Sequence, residues 1–315
     1  MDIKKLIPYL FGVAILLFIL SRINIVETFK IIVGANLFYV LGAVLLIPCT
    51  IALESLRWHY MLRKLGITYP FPEVFTMYCS SVYLGTITPA RVGEFVRVSF
   101  LKGENIGKSF FTVFLDRASD VLFLIGAGYL GMFLFASFLT EQIFWLSIVF
   151  VAGVLLVAFA MLRKDFVKFG LSLVFHRIVP QKFKADVKTS FYDFYLSFFV
   201  FIKPQPVIVC FFLTLASWFV YYLNVFLLSK ALGISISFFQ LATIISIASL
   251  LSILPISISG IGTRDAAFVF FFVLLGIKSE FAIALSTLVL LMMLVTALFC
   301  FPFWLRKPVN LSFIK

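Results

Sequence analysis

Arg91, Glu94 and Arg97 lie three residues apart in the segment Thr88-Pro89-Ala90-Arg91-Val92-Gly93-Glu94-Phe95-Val96-Arg97, flanked on both sides by apolar sequence. On a helix, side chains three apart share a face, so the two arginines and the carboxylate between them form one polar stripe. A guanidinium is permanently charged and offers paired donors, which suits it to gripping a phosphate. The same stripe also reads as an internal ion-pair ladder that neutralises a helix end. Farther along, Ser259-Gly260-Ile261-Gly262-Thr263-Arg264-Asp265 repeats the grammar of small residues followed by charge. Its glycines permit turns, Thr263 is expected to cap a following helix with Asp265 in its positive first turn, and Arg264 is a second candidate for an anion.

Two further sets carry charge. Asp116 and Asp120 are four apart, with Arg117 between them, so both carboxylates face one way on a helix. They read as partners for Arg117 or a basic residue from elsewhere such as Arg91 or Arg264, as proton carriers, or as acids at an ordinary helix start. Arg57 and Trp58 follow Glu54 at the end of an apolar run. The expected role of Trp58 there is interfacial anchoring, with Arg57 in reach of a lipid phosphate.

These charges need a scaffold, and composition names it. Hydrophobic residues make up 63%, aromatic residues 18% and charged residues 13%, with mean hydropathy +1.15. A soluble domain carries about 25% charged residues, so the chain reads as an all-α, polytopic integral membrane protein. Apolar runs predict spans over 6–20, 37–53, 74–87, 121–139, 143–162, 207–228, 238–254, 266–275 and 281–305. The runs 74–87 and 266–275 are too short to cross alone, since a helix needs roughly 17 to 25 residues. Both adjoin the broken motifs. If 74–87 enters, breaks at Pro89 and returns, the basic residues gather on one side, which makes that side cytoplasmic and places both termini there. The second broken element then enters from the opposite side. Two opposed, re-entrant elements predict an inverted repeat whose interruptions meet near the midplane. The chain divides into a first half (1–162), a connector (163–205) and a second half (206–315) of a single transmembrane domain at the cell membrane. Within the connector, Phe183, Val187, Phe191, Phe194 and Phe198 recur on one face, which predicts an amphipathic helix in the headgroup interface.

An ionisable side chain at the membrane centre costs about 2.5 to 3.5 kcal/mol and normally faces a partner or a watery cavity. The expected binding set is therefore Arg57, Pro89, Arg91, Gly93, Glu94, Arg97, Asp116, Arg117, Asp120, Ser259, Gly260, Gly262, Thr263, Arg264 and Asp265. The net charge of +12 is carried by segments between apolar runs, which points to topology rather than nucleic acid. Cys49, Cys79, Cys210 and Cys300 read as isolated buried hydrophobes. His59 and His176 are too far apart in sequence to suggest a shared metal, and no nucleotide-binding, zinc-hydrolase or nucleophile-elbow motif is present. No metal or cofactor and no catalytic residue is expected.

Arg57-Trp58, the Thr88 to Arg97 segment, Asp116-Arg117 with Asp120, and Pro255 through Asp265 together resemble the flippase-like membrane region of lysylphosphatidylglycerol synthases, across nearly the whole chain. Ala90 stands where that family often has Gly, Ser259 where it often has Pro or Gly, and Asp265 where it often has Glu. The soluble aminoacyl-transfer domain of the full synthases is absent from these residues. The resemblance implies a lipid flippase whose arginines hold a lipid phosphate, on an aminoacylated or anionic phospholipid or a polyprenyl-linked phosphate. Membrane lipids are the expected partners, with a separate lipid-modifying or glycosyl transferase beside them. The rival readings are a membrane-embedded enzyme using Glu94, Asp116 or Asp120 as acid or base, and a non-transporting partner that recruits a transferase.

Overall fold

A computed structural model describes residues 24–101, 103–133, 135, 184–253 and 260–306. The expected spans at 6–20 and 143–162, the connector up to residue 183, His176, and Pro255 to Ser259 lie outside the described residues. Among the described residues every regular element is helical. A short helix α1 (Ile25–Val33) precedes α2 (Leu37–Lys64), and α3 (Phe71–Ile87) leads into a 3-10 segment (Pro89–Val96) and the single turn α4 (Arg97–Phe100). Then follow α5 (Ile106–Met132), α6 (Lys184–Phe201), α7 (Pro204–Ala231), α8 (Phe238–Ile253), α9 (Thr263–Leu274) and α10 (Ser279–Arg306).

The helices α2, α7 and α10 are each 28 residues long and apolar enough to cross a membrane. At about 1.5 Å per residue each is roughly 42 Å long, more than the ~30 Å of bilayer hydrocarbon. Their outer faces leave Leu41, Leu45, Phe211, Phe212, Phe219, Leu294 and Leu298 exposed, as lipid contact requires. The 27 residues of α5 give it similar length, but Asp116, Arg117 and Asp120 interrupt its apolar character.

Two boundaries differ from the sequence expectation, and both differences matter for the charges. The run 121–139 predicts a helix from residue 121; α5 instead starts at Ile106, where the Asn105 side chain accepts the Lys108 N–H at 3.1 Å. Asp116 and Asp120 therefore lie well inside a helix rather than at its start. The run 37–53 predicts an end before Glu54, yet α2 continues to Lys64. Trp58 is thus fully buried, 0% exposed, and is no interfacial anchor. Its indole N–H donates to Thr112 of α5 at 3.1 Å.

Three helix pairings hold the bundle: α2 with α7, α3 with α10, and α5 with α8. The first is pinned by Asn224, whose amide donates to the Ala43 carbonyl at 2.6 Å in a buried setting. Asn224→Ala should lower stability by about 1 kcal/mol, the net value of such a bond, read as a downward shift of the unfolding midpoint in detergent. Cys79 of α3 and Cys300 of α10 are free and buried, whereas Cys49, expected to be buried, is exposed. Of the aromatic face expected on α6, Phe194 and Phe198 pack on Phe111 of α5, together with Phe201.

Each broken element contacts the helix that precedes it. The 3-10 segment lies so close to α3 that a Cβ on Gly93 would collide with the Leu84 carbonyl, and the Gly93 N–H donates to the Thr88 hydroxyl at 2.7 Å. The expected half-helix from Arg91 is thus a tighter 3-10 turn with one α turn after it. In the second element, Gly260 and Gly262 take φ of 77° and 87°, a left-handed turn open to glycine. The helix α9 then packs on α8.

Candidate functional site

The charges singled out in the first half converge on one buried network between α2, the 3-10 segment, α4 and α5. Arg57 is its centre and is 0% exposed. Its Nε donates to Asp116 Oδ1 at 2.8 Å, Nη1 to Asp120 Oδ1 at 2.7 Å and to the Thr214 hydroxyl at 2.8 Å, and Nη2 to Asp120 Oδ2 at 3.1 Å. The four-residue spacing of the two acids, placed on one face of α5, brings both carboxylates to a single guanidinium. Their partners are the expected Arg117 together with Arg57 and Arg97, and neither Arg91 nor Arg264 is among them.

Arg97, equally buried, donates from Nη1 to Asp116 Oδ2 at 2.8 Å. Its guanidinium carbon stands 4.6 Å from the centre of the Tyr78 ring and 5.1 Å from that of Trp58, so two aromatic faces complete its surroundings. Arg117 ties the remaining acids together: Nη1 lies 2.8 Å from Glu94 Oε2, and Nη2 lies 2.9 Å from Asp116 Oδ2 and 3.2 Å from Asp120 Oδ2. The same Nη2 donates to the Tyr78 hydroxyl at 3.0 Å. Three arginines (Arg57, Arg97, Arg117) thus meet three carboxylates (Glu94, Asp116, Asp120), and this core is electrically balanced. Mutual pairing of this kind is how charge is kept inside a membrane protein.

Arg91 differs from all of these. Its side chain is 60% exposed, and its one ion pair among the described residues, to Glu94 Oε1, is 3.7 Å long. It is also the one non-glycine residue with positive φ among the described residues, at 53°. Such a conformation is costly for a side chain with a Cβ and persists where surrounding structure imposes it. Arg91 is therefore held out from a neutral scaffold as an available cation.

The second broken element carries a smaller version of this arrangement. Arg264 Nε donates to the Ser286 hydroxyl of α10 at 2.9 Å, and Ser286 donates to Asp265 Oδ1. The other Asp265 oxygen accepts the Gly262 N–H at 2.8 Å. The start of α9 is thus capped by Asp265, and not by the Thr263 hydroxyl as expected. Gly260, Gly262, Thr263, Arg264 and Asp265 form one cluster with Ser286; Ser259 lies outside the described residues, and of Pro89 only the backbone is described. The 3-10 segment also touches α8, the helix on which α9 packs.

Four contributors escaped the sequence reading: Tyr78, Thr214, Trp218 and Ser286. Trp218 donates from its indole nitrogen to Asp120 at 3.1 Å. Each is a neutral side chain in an apolar run, and only the tertiary pairing of helices shows it facing a charge. Among the described residues no three His, Cys, Asp or Glu side chains are grouped to hold a metal ion.

A family model for the lysylphosphatidylglycerol synthase TM region matches residues 5–303. A UPF0104 membrane protein of Pyrococcus horikoshii is 26% identical, over 90% of this chain and 91% of that protein. One from Methanocaldococcus jannaschii is 25% identical, over 90% and 89% respectively. A third, from Methanothermobacter thermautotrophicus, is 23% identical over 78% of each.

Proposed function

Because the chain belongs to the lysylphosphatidylglycerol synthase TM region family, we propose that this membrane protein is a lipid flippase which moves a phosphate-bearing lipid between leaflets. The observation that carries the reading is Arg91: an exposed guanidinium on a broken element, beside arginines whose charges are already met. An unsaturated guanidinium of this kind is the group best suited to take a headgroup phosphate. The acyl chains stay in the bilayer, and the polar headgroup passes between the two broken elements, towards Arg264.

The helix pairings support an inverted repeat. If α2, α3 and α5 of the first half correspond to α7, α8 and α10 of the second, the α2–α7 pair maps onto itself. The α3–α10 pair maps onto α8–α5, and the 3-10 segment on α3 maps onto α9 on α8. Every one of these contacts is present. With the basic segments assigned to the cytoplasm, the two elements re-enter from opposite faces of the cell membrane, the arrangement by which broken helices build a transporter's midplane site.

The test is headgroup accessibility in proteoliposomes carrying fluorescent phosphatidylglycerol, lysylphosphatidylglycerol or a polyprenyl phosphate. Arg91→Gly removes the charge and also relieves the left-handed backbone. Its expected phenotype is unusual: unfolding midpoint unchanged or raised, with translocation slowed about ten- to hundredfold, the equivalent of one charge-assisted hydrogen bond. Translocation at the wild-type rate in Arg91→Gly, or none by the wild-type protein with any of the three lipids, overturns the reading.

A further inference from the structure

We propose that Glu54 is the residue at which this protein takes up and releases a proton during each cycle of lipid movement, an inference that rests on the transport reading above. Glu54 stands on α2 one turn before Arg57, beside the ionic network yet outside its pairings. Among the described residues it forms no ion pair, and its printed hydrogen bond is one it accepts, from the Tyr78 hydroxyl at 3.2 Å. It is only partly buried.

The charge balance is what singles it out. Arg57, Arg97 and Arg117 are matched by Glu94, Asp116 and Asp120 without Glu54. A fourth carboxylate, if ionised, adds a negative charge that no contacting cation neutralises; as the acid it adds none. Asp116, by contrast, already receives three guanidinium groups and would have to break them to accept a proton. The groups that face Glu54 are Arg57 on its own helix, Tyr78 of α3, Asp116, Arg117 and Asp120 of α5, Tyr221 of α7 and Cys300 of α10.

A route from this proton to the headgroup site is also present. Arg117 Nη2 donates to the Tyr78 hydroxyl at 3.0 Å, and that hydroxyl donates on to Glu54. Arg117 Nη1 holds Glu94, which sits on the same 3-10 segment as Arg91. When Glu54 gives its proton to water, its new negative charge draws Arg117 towards Tyr78 and weakens the hold on Glu94. When Glu54 takes a proton from water, Arg117 returns. The bond exchanged is one carboxyl O–H, and the proton balance closes on the solvent at the two faces of the membrane.

The experiment measures lipid translocation and internal pH together in proteoliposomes under an imposed pH gradient. The wild-type protein is expected to move protons with lipid, at a rate that changes with the gradient. Glu54→Gln keeps the shape of the acid form, and is expected to move lipid at a rate indifferent to the gradient with no proton flux. Tyr78→Phe cuts the link to Arg117 and is expected to weaken the gradient response. Where the Gln variant does not fold, Glu54→Asp is read instead, expected to respond to the gradient with a shifted midpoint pH. Wild-type lipid movement without proton flux, Glu54→Gln coupled like wild type, or Glu54→Asp with an unshifted midpoint overturns the proton assignment and leaves the transport reading standing. Absence of lipid movement by the wild-type protein overturns the transport reading itself.

Discussion

Arg57→Ala is expected to abolish the folded protein. The truncation leaves Asp116 and Asp120 buried against Arg97 and Arg117, with one positive charge fewer than negative and the Thr214 and Trp218 contacts unsupported. Breaking a buried ion pair by removing one partner costs about 3 to 5 kcal/mol, a large share of a typical domain's stability of about 5 to 15 kcal/mol. The measurement is the monodisperse fraction in detergent after mild heating, which should fall sharply. Arg57→Lys should recover only part of it, because one ammonium cannot replace the fork that spans two carboxylates and a hydroxyl. The more telling variant is Arg57→Met with Asp120→Asn. It restores balance, leaving Arg97 and Arg117 against Glu94 and Asp116, and should regain most of the lost stability. A single Arg57→Ala protein as stable as wild type would show that the network has no structural role.

Gly93→Ala is expected to have the second-largest effect, by a different route. The added methyl meets the Leu84 carbonyl and the Thr88 hydroxyl, and backbone of this kind cannot step aside as a flexible side chain does. The 3-10 segment must lift off α3, at the roughly 1 to 3 kcal/mol typical of overpacking. Glu94 then draws away from Arg117 and Arg97, and Arg91 loses the position that the turn imposes. Translocation should fall by at least as much as in Arg91→Gly, while the α2–α7 and α3–α10 pairings persist. Hydrogen exchange resolves the two claims: faster exchange confined to residues 88–100 is the expected pattern, and acceleration throughout α3 and α10 would contradict it.

The residues that carry charge at membrane depth stand out in the sequence because almost nothing else there is polar. That is why Arg57, Glu94, Arg97, Asp116, Arg117 and Asp120 are all legible from local sequence alone. Their partners were not legible, since the bonds of Arg57 to Asp116 and Asp120 span 59 and 63 residues of chain, and helical periodicity relates only near neighbours. Hydropathy also misplaced two helix ends. It treats Glu54 to Lys64 and residues 106–120 as outside the spans, whereas a helix whose polar side chains pair with each other continues through them. Trp58 resembles an anchor for the same reason: an aromatic beside Arg looks interfacial until a second helix covers it. The broken elements were legible from Pro89 and the Gly260–Gly262 turn, but whether a given arginine is paired or free depends on contacts that no local pattern encodes.

The separation between Arg57 and its acids also bears on how the protein is made. The ribosome delivers α2 with its guanidinium long before Asp116 and Asp120 exist, and Thr214 of α7 arrives later still. A lone arginine in lipid costs about 2.5 to 3.5 kcal/mol, so α2 reaches its full stability in the bilayer only when α5 has joined it. The point at which the first half becomes firm is therefore set by the length of chain between one arginine and the two aspartates that neutralise it.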